Sequence, residues 1–375
     1  MKSWLLSTFI ILFLVHTNSC SEKKSESAFD AQVNSDREIS KFEPPGDQCL
    51  VFVGQELDAI GGVSDWENGY MDHFRKPAGF TMYTDLMPGS ESFGFIHKGL
   101  DGLQTTDDWG DGPSNMSLQL QHDNFKHLLL AIGLDMKDGH ESKVASGMHD
   151  ELINRLGLFI KDLGPRPVFL RIGYEFDGHG WNNYDPESYV KAFRRIKDMF
   201  DDLGVKNVAY VWQSKGRGVT QEDLQKYYPG DEYVDWTGFS FFAPDNENHP
   251  MIQFSRTKGK PIFIAEATPV IVPTDSDKAQ ALDFNDPTQS KLAWESWFIP
   301  FFRTIDNNRD VIKAFSYINC HWKSHEMWDE VNYFNKLDVR IQLDEELSKQ
   351  WMDKLSEDTY LEGSEGLFEQ LWGSS

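Results

Sequence analysis

Short apolar segments recur along the chain, and the polar segments between them include two with helical spacing, at 187–203 and 289–306. The apolar segments are rich in β-branched and aromatic residues and are too short for buried helices. Each is therefore typical of a strand that is buried on both faces. The eight predicted strands span residues 49–57, 79–86, 128–136, 168–176, 208–214, 234–242, 261–268 and 312–322.

Buried strands that alternate with helices predict parallel pairing through right-handed crossovers, and eight such units close into a barrel. We therefore predict an α/β fold, a (β/α)8 TIM barrel that forms a single domain over residues 46–375. An open, doubly wound sheet is the alternative, but nothing after the first strand resembles its glycine-rich phosphate loop. The irregular segments 112–124 and 270–286 follow strand ends, where insertions build the walls of a groove.

The first twenty residues have the pattern of an export signal. A positive charge at Lys2 precedes an apolar stretch at 4–15 that is too short to span a bilayer. Residues 17–20, TNSC, resemble a bacterial lipoprotein cleavage site, so we predict a signal peptide at 1–20 with lipidation of Cys20. The polar segment 21–45 is then a flexible tether. These features predict a protein outside the cytoplasm, as an outer-membrane lipoprotein at the cell surface or in the periplasm; ordinary secretion is the alternative.

Charge and cysteine content narrow the possible partners. The net charge of −24 argues against nucleic acid, because phosphate binding needs a basic face. We expect a monomer that contacts the membrane only through its lipid anchor. Cys49 lies at the start of the first predicted strand and Cys320 at the end of the eighth, which places them at opposite ends of the barrel. They are too far apart for a disulfide, so we predict two free, buried thiols.

Two apolar strands each end in a glutamate. Glu175 lies at the carboxyl end of the fourth predicted strand and Glu266 at that of the seventh, and these strands face each other across a barrel mouth. Hydrolysis of a glycosidic bond needs one carboxyl group to protonate the departing oxygen and another to attack or to position water. The two glutamates are therefore our candidate catalytic pair. The structural alternatives are that Glu175 pairs with Arg171 and that Glu266 is an ordinary carboxylate at a strand end.

Side chains near the strand ends are candidates for binding sugar, because apolar sugar faces stack on aromatic rings and hydroxyl groups need polar partners. Arg171 is expected to orient the site from beneath, with a buried ion pair as the alternative, and packing explains Trp66 and Trp212 equally well. No metal or other cofactor is predicted, because the histidines at 321 and 325 lack the pattern of a metalloprotease. The candidates for substrate binding are Gln55, Glu56, Trp66, Arg171, Tyr174, Trp181, Trp212, Phe242 and Trp322.

Four sequence blocks resemble glycoside hydrolase family 26. They are LRIGYEF at 170–176, YYPGDEYVDWTGFSFF at 227–242, KPIFIAEA at 260–267 and VRIQLDEELSKQWMDKL at 339–355. The resemblance implies a retaining glycosidase in which Glu175 is the acid/base and Glu266 the nucleophile. It also implies that the two carboxyl groups lie about 5 to 5.5 Å apart.

The chain departs from the family pattern near both glutamates. Family members usually have His before the acid/base and Met-Asn after it, whereas this chain has Tyr174 and then Phe176-Asp177. The sixth strand often ends in a Tyr that hydrogen-bonds the nucleophile, but here Phe242 occupies the end, so other donors must serve Glu266. By resemblance the substrate is a β-mannan, with β-1,3-xylan, mixed-linkage glucan or algal galactan as alternatives. A non-catalytic surface glycan-binding lipoprotein is the alternative from another functional class.

Overall fold

The computed structural model describes residues 38–244, 250–270 and 282–374. The compact unit that contains the barrel is Ile39–Ser375. The predicted signal peptide, with Cys20, and the tether up to residue 37 lie outside the described residues. Within the described ranges, no helix is both long enough and apolar enough to cross a membrane.

Eight parallel strands form a closed barrel. Each strand pairs with the next in chain order, and the last pairs with the first, with Leu50 opposite Ala314 and Gly54 opposite Ile318. This closure confirms the predicted (β/α)8 barrel and contradicts the open-sheet alternative. The strands are β1 (Cys49–Gly54), β2 (Gly79–Asp85), β3 (Leu129–Asp135), β4 (Val168–Ile172), β5 (Val208–Ser214), β6 (Trp236–Phe241), β7 (Ile262–Ala267) and β8 (Ile312–Ile318).

Capping residues in the local sequence set where a helix begins and ends. In the longest, Pro186–Leu203, the Asp185 side chain accepts a hydrogen bond from the Ser188 amide, and Gly204 follows the last turn with a φ of 69°. The other α-helices are Leu57–Ile60, Tyr70–His73, Met116–Gln121, His140–Ala145, Asp150–Asp162, Gln221–Tyr227, Pro250–Lys258, Pro287–Ala293, Ile299–Asp306, Glu345–Leu355 and Leu367–Gly373. A π-helical turn at Trp294–Phe298 joins two of them. Short strands at Glu91–Ser92 and Phe95–Ile96 form a hairpin, and Tyr360–Leu361 pairs beside β1.

Alternate residues of each strand face two different apolar cores. On β4, Phe169 belongs to the core inside the barrel, whereas Val168 and Leu170 belong to the core between the strands and the helices. This arrangement follows from the period of two in a strand. Both faces of a barrel strand are therefore apolar, which explains why the sequence pattern shows continuous apolar segments.

The amino-terminal end of the barrel is closed by the two ends of the domain. Phe42 is fully buried there and packs edge-on against Trp372, with ring centroids 4.9 Å apart. Residues 39–45, which we assigned to the tether, are thus part of the compact unit. Cys49 and Cys320 are free and buried, as predicted.

Candidate active site

Glu175 lies in the turn that follows β4. Its backbone has a φ of 48°, a left-handed conformation that few non-glycine residues adopt. The Asn182 side chain holds this turn by donating to the carbonyl oxygens of Tyr174 at 2.8 Å and of Glu175 at 3.1 Å. Asp177 fixes the rest of the loop to the end of β5, because it accepts a hydrogen bond of 2.7 Å from the Ser214 hydroxyl. Several contacts thus fix the direction of the Glu175 side chain.

The Glu175 carboxyl group is nearly buried and accepts a hydrogen bond of 2.8 Å from Trp181 Nε1 at its Oε2. Burial, followed by the charge of Glu266, raises the pKa of Glu175 to about 8, while hydrogen bonds from Ser240 and Trp181 oppose this rise. The carboxyl group therefore keeps its proton at neutral pH. A protonated carboxyl group at a barrel mouth is suited to general acid catalysis.

Glu266 faces into the barrel because β7 contains an irregularity. Phe263 and Ala265 belong to the inner core and Ala267 to the outer core, so strict alternation would direct Glu266 outward. In the pairing with β8, however, Phe315 lies opposite Ile264 and Tyr317 lies opposite Ala267. An advance of two residues along β8 thus matches an advance of three along β7. The pairing with β6 shifts at the same place. This extra residue is a β-bulge, which directs a side chain to the other face of a sheet.

Three buried side chains form a network with Glu266. Its Oε1 accepts hydrogen bonds from Arg171 Nη2 and, at 3.3 Å, from Gln213 Nε2. Arg171 is fully buried, and it also donates from Nε to Gln213 Oε1 at 2.7 Å and from Nη1 to the Tyr83 hydroxyl at 3.3 Å. Arg171 therefore pairs with Glu266, whereas our structural alternative paired it with Glu175. Arg171 and Gln213 supply the donors that replace the missing tyrosine of β6.

The predicted aromatic residues occupy different environments. Trp181 is 52% exposed beside Glu175, whereas Trp322, in the loop after β8, is 2% exposed and packs against Trp328 and Phe334 of the same loop. Trp66, Tyr174 and Phe242 are half-buried. A sugar ring can thus reach Trp181 directly, whereas Trp322 is too deeply buried to stack on one, contrary to our prediction.

Trp212 does not belong to the groove, contrary to our prediction. It is fully buried on the outer face of β5, its ring stacks on Phe176 with a centroid distance of 4.3 Å, and its Nε1 donates to the Tyr227 carbonyl at 3.0 Å. Alternation along β5 explains this position, because Val211 and Gln213 are the residues that face the barrel interior. Trp212 contributes to packing between β5 and its neighbouring helices.

Gln55 and Glu56 follow β1 but have different partners. Gln55 donates to Asp111 Oδ2 at 2.7 Å, so it belongs to the polar edge of the site. Glu56 is 1% exposed and caps the helix Leu57–Ile60, where it accepts hydrogen bonds from the amides of Asp58 and, at 2.8 Å, Ala59. Its carboxylate is directed into the protein, which does not fit the hydroxyl-binding role we predicted.

Sequence reasoning missed Asp111. Its carboxylate accepts hydrogen bonds from Gln55 and, at 2.5 Å, from Trp328 Nε1. Burial raises the pKa of Asp111 to about 7, with a further contribution from the charge of Glu266. The only signal in the sequence was the irregular run DDWGDGP at 107–113, where three aspartates gave no reason to prefer this one. The fold places Asp111 at the site because it brings the loop after β2 next to the loop after β8.

Known glycosidases resemble this chain in sequence and in fold. Residues 123–277 match glycosyl hydrolase family 26. The chain is 32% identical over 350 residues to a β-1,3-xylanase from Vibrio sp., covering 88% of this chain and 70% of that protein. It is 31% identical over 343 residues to a β-1,3-xylanase from Alcaligenes sp., covering 87% and 67%. A family 26 β-mannanase structure from Bacteroides ovatus shares the fold, with a TM-score of 0.55 at 14% identity over 86% of this chain and 93% of that chain.

These relatives, together with the barrel and its two inward-facing glutamates, define a glycosidase of the retaining β-glycanase class. The family assignment is equally direct, since two relatives above 30% identity extend over most of the chain. The chain belongs to glycosyl hydrolase family 26, which confirms the resemblance seen in its sequence blocks.

Proposed function

We propose that the protein is an endo-acting β-1,3-xylanase in which Glu175 is the acid/base and Glu266 the nucleophile. The observation that carries the two catalytic roles is the unequal environment of the carboxyl groups. Glu175 is buried and holds a proton, with a pKa of about 8, whereas Glu266 is an ion-pair partner of Arg171. One group is thus suited to giving a proton and the other to attacking as an anion.

In the first step, Glu175 donates its proton to the glycosidic oxygen while a carboxylate oxygen of Glu266 bonds to the anomeric carbon. The bond from that carbon to the leaving oxygen breaks, and a covalent glycosyl-enzyme forms. Arg171 and Gln213 both contact Glu266 Oε1, so they hold this oxygen while Oε2 attacks. A fixed nucleophile lowers the entropic part of the barrier.

In the second step, the acid becomes a base. Bond formation removes the negative charge of Glu266, which was one cause of the raised pKa of Glu175. The pKa of Glu175 then falls, and its carboxylate takes a proton from the water molecule that attacks the anomeric carbon. The product leaves with its original anomeric configuration, and both carboxyl groups return to their starting states.

The choice of β-1,3-xylan rests on the relatives of the chain. The two relatives described above, each about one third identical to the chain, are β-1,3-xylanases, and their alignments extend over 88% and 87% of this chain. The β-mannanase from Bacteroides ovatus shares 14% identity, which supports the fold and not the substrate. The departures from the family pattern at Tyr174 and Phe242 also favour a substrate other than β-mannan.

Product release from β-1,3-xylan, β-1,4-xylan, β-mannan, mixed-linkage glucan and algal galactan tests the proposal. We expect release of short oligosaccharides from β-1,3-xylan, with loss of activity in Glu175→Ala and Glu266→Ala. Added azide should restore turnover to Glu266→Ala and give a glycosyl azide of inverted configuration. Glu187→Ala, on the exposed surface of a helix, is the matched control and should remain active. Cleavage of β-mannan alone would overturn the substrate, and binding of a glycan without cleavage would favour the glycan-binding alternative.

We further propose that the protein is exported and held at the outer membrane as a monomer by a lipid on Cys20. The positive, apolar and TNSC segments of residues 1–20 support this location. Incorporation of radiolabelled palmitate into the wild type, and its loss in Cys20→Ala, would support the anchor. Equal release of both forms into the medium would favour ordinary secretion.

A further inference from the structure

Two groups of metal-ligating side chains lie near the carboxyl-terminal end of the barrel within the described residues. One comprises Asp85, His97 and Asp101, and the other comprises Glu56, Cys320 and His325. In each group, one ligand atom per residue lies within 4.8 Å of the others. The two groups differ in how completely their polar atoms are already paired.

The first group is closed by its own hydrogen bonds. His97 Nδ1 contacts Asp85 Oδ2 at 3.1 Å, and its Nε2 contacts the Ser92 hydroxyl at 3.2 Å. Burial alone would lower the pKa of His97, but hydrogen bonds to Asp101 and Asp85 raise it to about 9. Because both ring nitrogens of His97 already have hydrogen-bond partners, this group holds the loop after β2 as a hydrogen-bonded cluster.

The second group has an unpaired nitrogen. His325 is 9% exposed, and its Nε2 is buried without a hydrogen-bond partner. That nitrogen lies 3.9 Å from Glu56 Oε1, which is too far for a hydrogen bond. Cys320 is a fully buried free thiol beside both of them. An unpaired buried nitrogen costs about 1 to 3 kcal/mol, so it needs an explanation.

We propose that Glu56, Cys320 and His325 bind one Zn²⁺ ion. A thiolate, an imidazole and a carboxylate are the ligands that Zn²⁺ takes in proteins, whereas Ca²⁺ and Mg²⁺ take oxygen. Zn²⁺ lies about 2.0 to 2.3 Å from such ligands, so neighbouring ligand atoms are roughly 3 to 4 Å apart. The distance of 3.9 Å between His325 and Glu56 fits this spacing. The thiolate and the carboxylate also balance the two positive charges of the ion.

The surrounding backbone leaves room for the ion. A Cβ atom at Gly112 would lie 2.8 Å from Glu56 Cγ and 3.2 Å from His325 Nε2. The absence of a side chain at this glycine therefore keeps the space beside both ligands open. Glu56 also keeps its role as a helix cap, because a carboxylate oxygen can accept an amide hydrogen bond and bind a metal at once.

Three protein ligands leave the fourth position of a tetrahedral Zn²⁺ to a water molecule, but the ion would support the groove wall and take no part in hydrolysis. Its ligands come from the end of β1 and from the loop after β8, and that loop also carries Trp328, which holds Asp111. Bound Zn²⁺ would fix one wall of the groove without touching Glu175 or Glu266. Metal removal should therefore raise the KM for polysaccharide more than it lowers kcat.

Cobalt substitution tests the site without any use of the enzyme activity. Protein purified after chelation is titrated with Co²⁺, and the near-ultraviolet thiolate-to-cobalt absorption band is recorded. We expect one equivalent of Co²⁺ per chain, displacement by Zn²⁺, and an upward shift in melting temperature with either ion. Cys320→Ser should abolish the band, and His325→Gln should weaken binding more than about tenfold.

Matched controls come from the same chain. Among the described residues, Cys49→Ser removes the other buried thiol, at the far end of the barrel, and His321→Gln removes a neighbouring histidine; both should retain the band. Far-ultraviolet circular dichroism checks folding, and His325→Gln provides the test if Cys320→Ser does not fold. The proposal is overturned if the wild type shows no band at one equivalent, if His325→Gln binds Co²⁺ as tightly as the wild type, or if Cys49→Ser loses the band.

Discussion

Glu175 combines burial with a hydrogen bond to a groove-lining side chain. Trp181 donates to its carboxylate at 2.8 Å and is half exposed, so the same indole contacts the acid and faces the substrate. This hydrogen bond favours the ionised form of Glu175, whereas burial and Glu266 favour the protonated form. The balance between these effects sets the pH above which the acid is lost.

Removal of the indole N–H should move the alkaline limb of the pH profile. In Trp181→Phe, the pKa of Glu175 rises above its value of about 8, because a hydrogen bond that lowers it is absent. We expect the alkaline limb of kcat/KM to move up by about half to one pH unit. Trp372→Phe, which removes an indole N–H at the opposite end of the barrel, is the control and should not move it. A limb that stays in place or moves to lower pH would contradict this role.

Glu175 should also make stability depend on pH. Its pKa is 4.5 ordinarily and about 8 in the fold, so the folded state binds the extra proton and loses stability as pH rises between these values. Glu175→Gln removes this loss. Urea unfolding should therefore show the variant gaining at least about 1 kcal/mol over the wild type between pH ~5 and pH ~9.

The control for this measurement is a glutamate on the exposed surface of the protein. Glu187→Gln changes a side chain that is 77% exposed and should give the same difference from the wild type at both pH values. If Glu175→Gln behaved in the same way, the carboxyl group would not carry a raised pKa in the folded protein.

At the scale of single residues, the sequence predicted the two glutamates but not all of the side chains around them. An isolated glutamate at the end of an apolar strand is a visible signal. The burial of Trp212 and the capping role of Glu56 depend on which way each side chain points, and a one-residue shift reverses that direction. The position of Asp111 depends on contact between two loops that are more than two hundred residues apart in the sequence, as the hydrogen bond from Trp328 shows. The sequence alone does not reveal this contact.

At the scale of elements, the bulge in β7 is the feature that makes the site. Without the extra residue between Ile264 and Ala267, alternation would place Glu266 among the helices and away from Arg171. The sequence IFIAEA gives no sign of this irregularity, because both small residues beside the glutamate suit a regular strand. The existence of β7 could thus be predicted, but the direction of its catalytic side chain could not.

The carboxyl-terminal helix Leu367–Gly373 should matter for stability and not for catalysis. Leu367 is 1% exposed in the inner core, at the end of the barrel opposite the glutamates. Leu367→Ala should lower the free energy of unfolding by about 2 to 5 kcal/mol, while kcat of the folded fraction stays unchanged. Met352→Ala, at a position that is 46% exposed, is the control and should change it by less than about 0.5 kcal/mol. A large loss of kcat in the folded Leu367→Ala variant would show coupling between the two ends of the barrel.

At the scale of the whole molecule, repetition made the fold predictable. Eight buried strands recur with helices between them, and closure through β8 and β1 is the arrangement that leaves no strand edge exposed. The position of the domain start was less visible, because Phe42 is a single aromatic residue in a polar segment. Its burial depends on a helix at the other end of the chain.

The net charge of −24 should make activity on charged polysaccharide depend on salt. A carboxymethylated form of the preferred polymer is repelled at low ionic strength, where charges act over about 30 Å at 0.01 M, and less so at 0.1 M, where they act over about 10 Å. We expect kcat/KM on this derivative to rise several-fold over that range, whereas kcat/KM on the neutral polymer stays constant. The neutral polymer is the control for any effect of salt on the enzyme itself. A kcat/KM on the derivative that falls as salt rises would mean that a local basic groove outweighs the average charge.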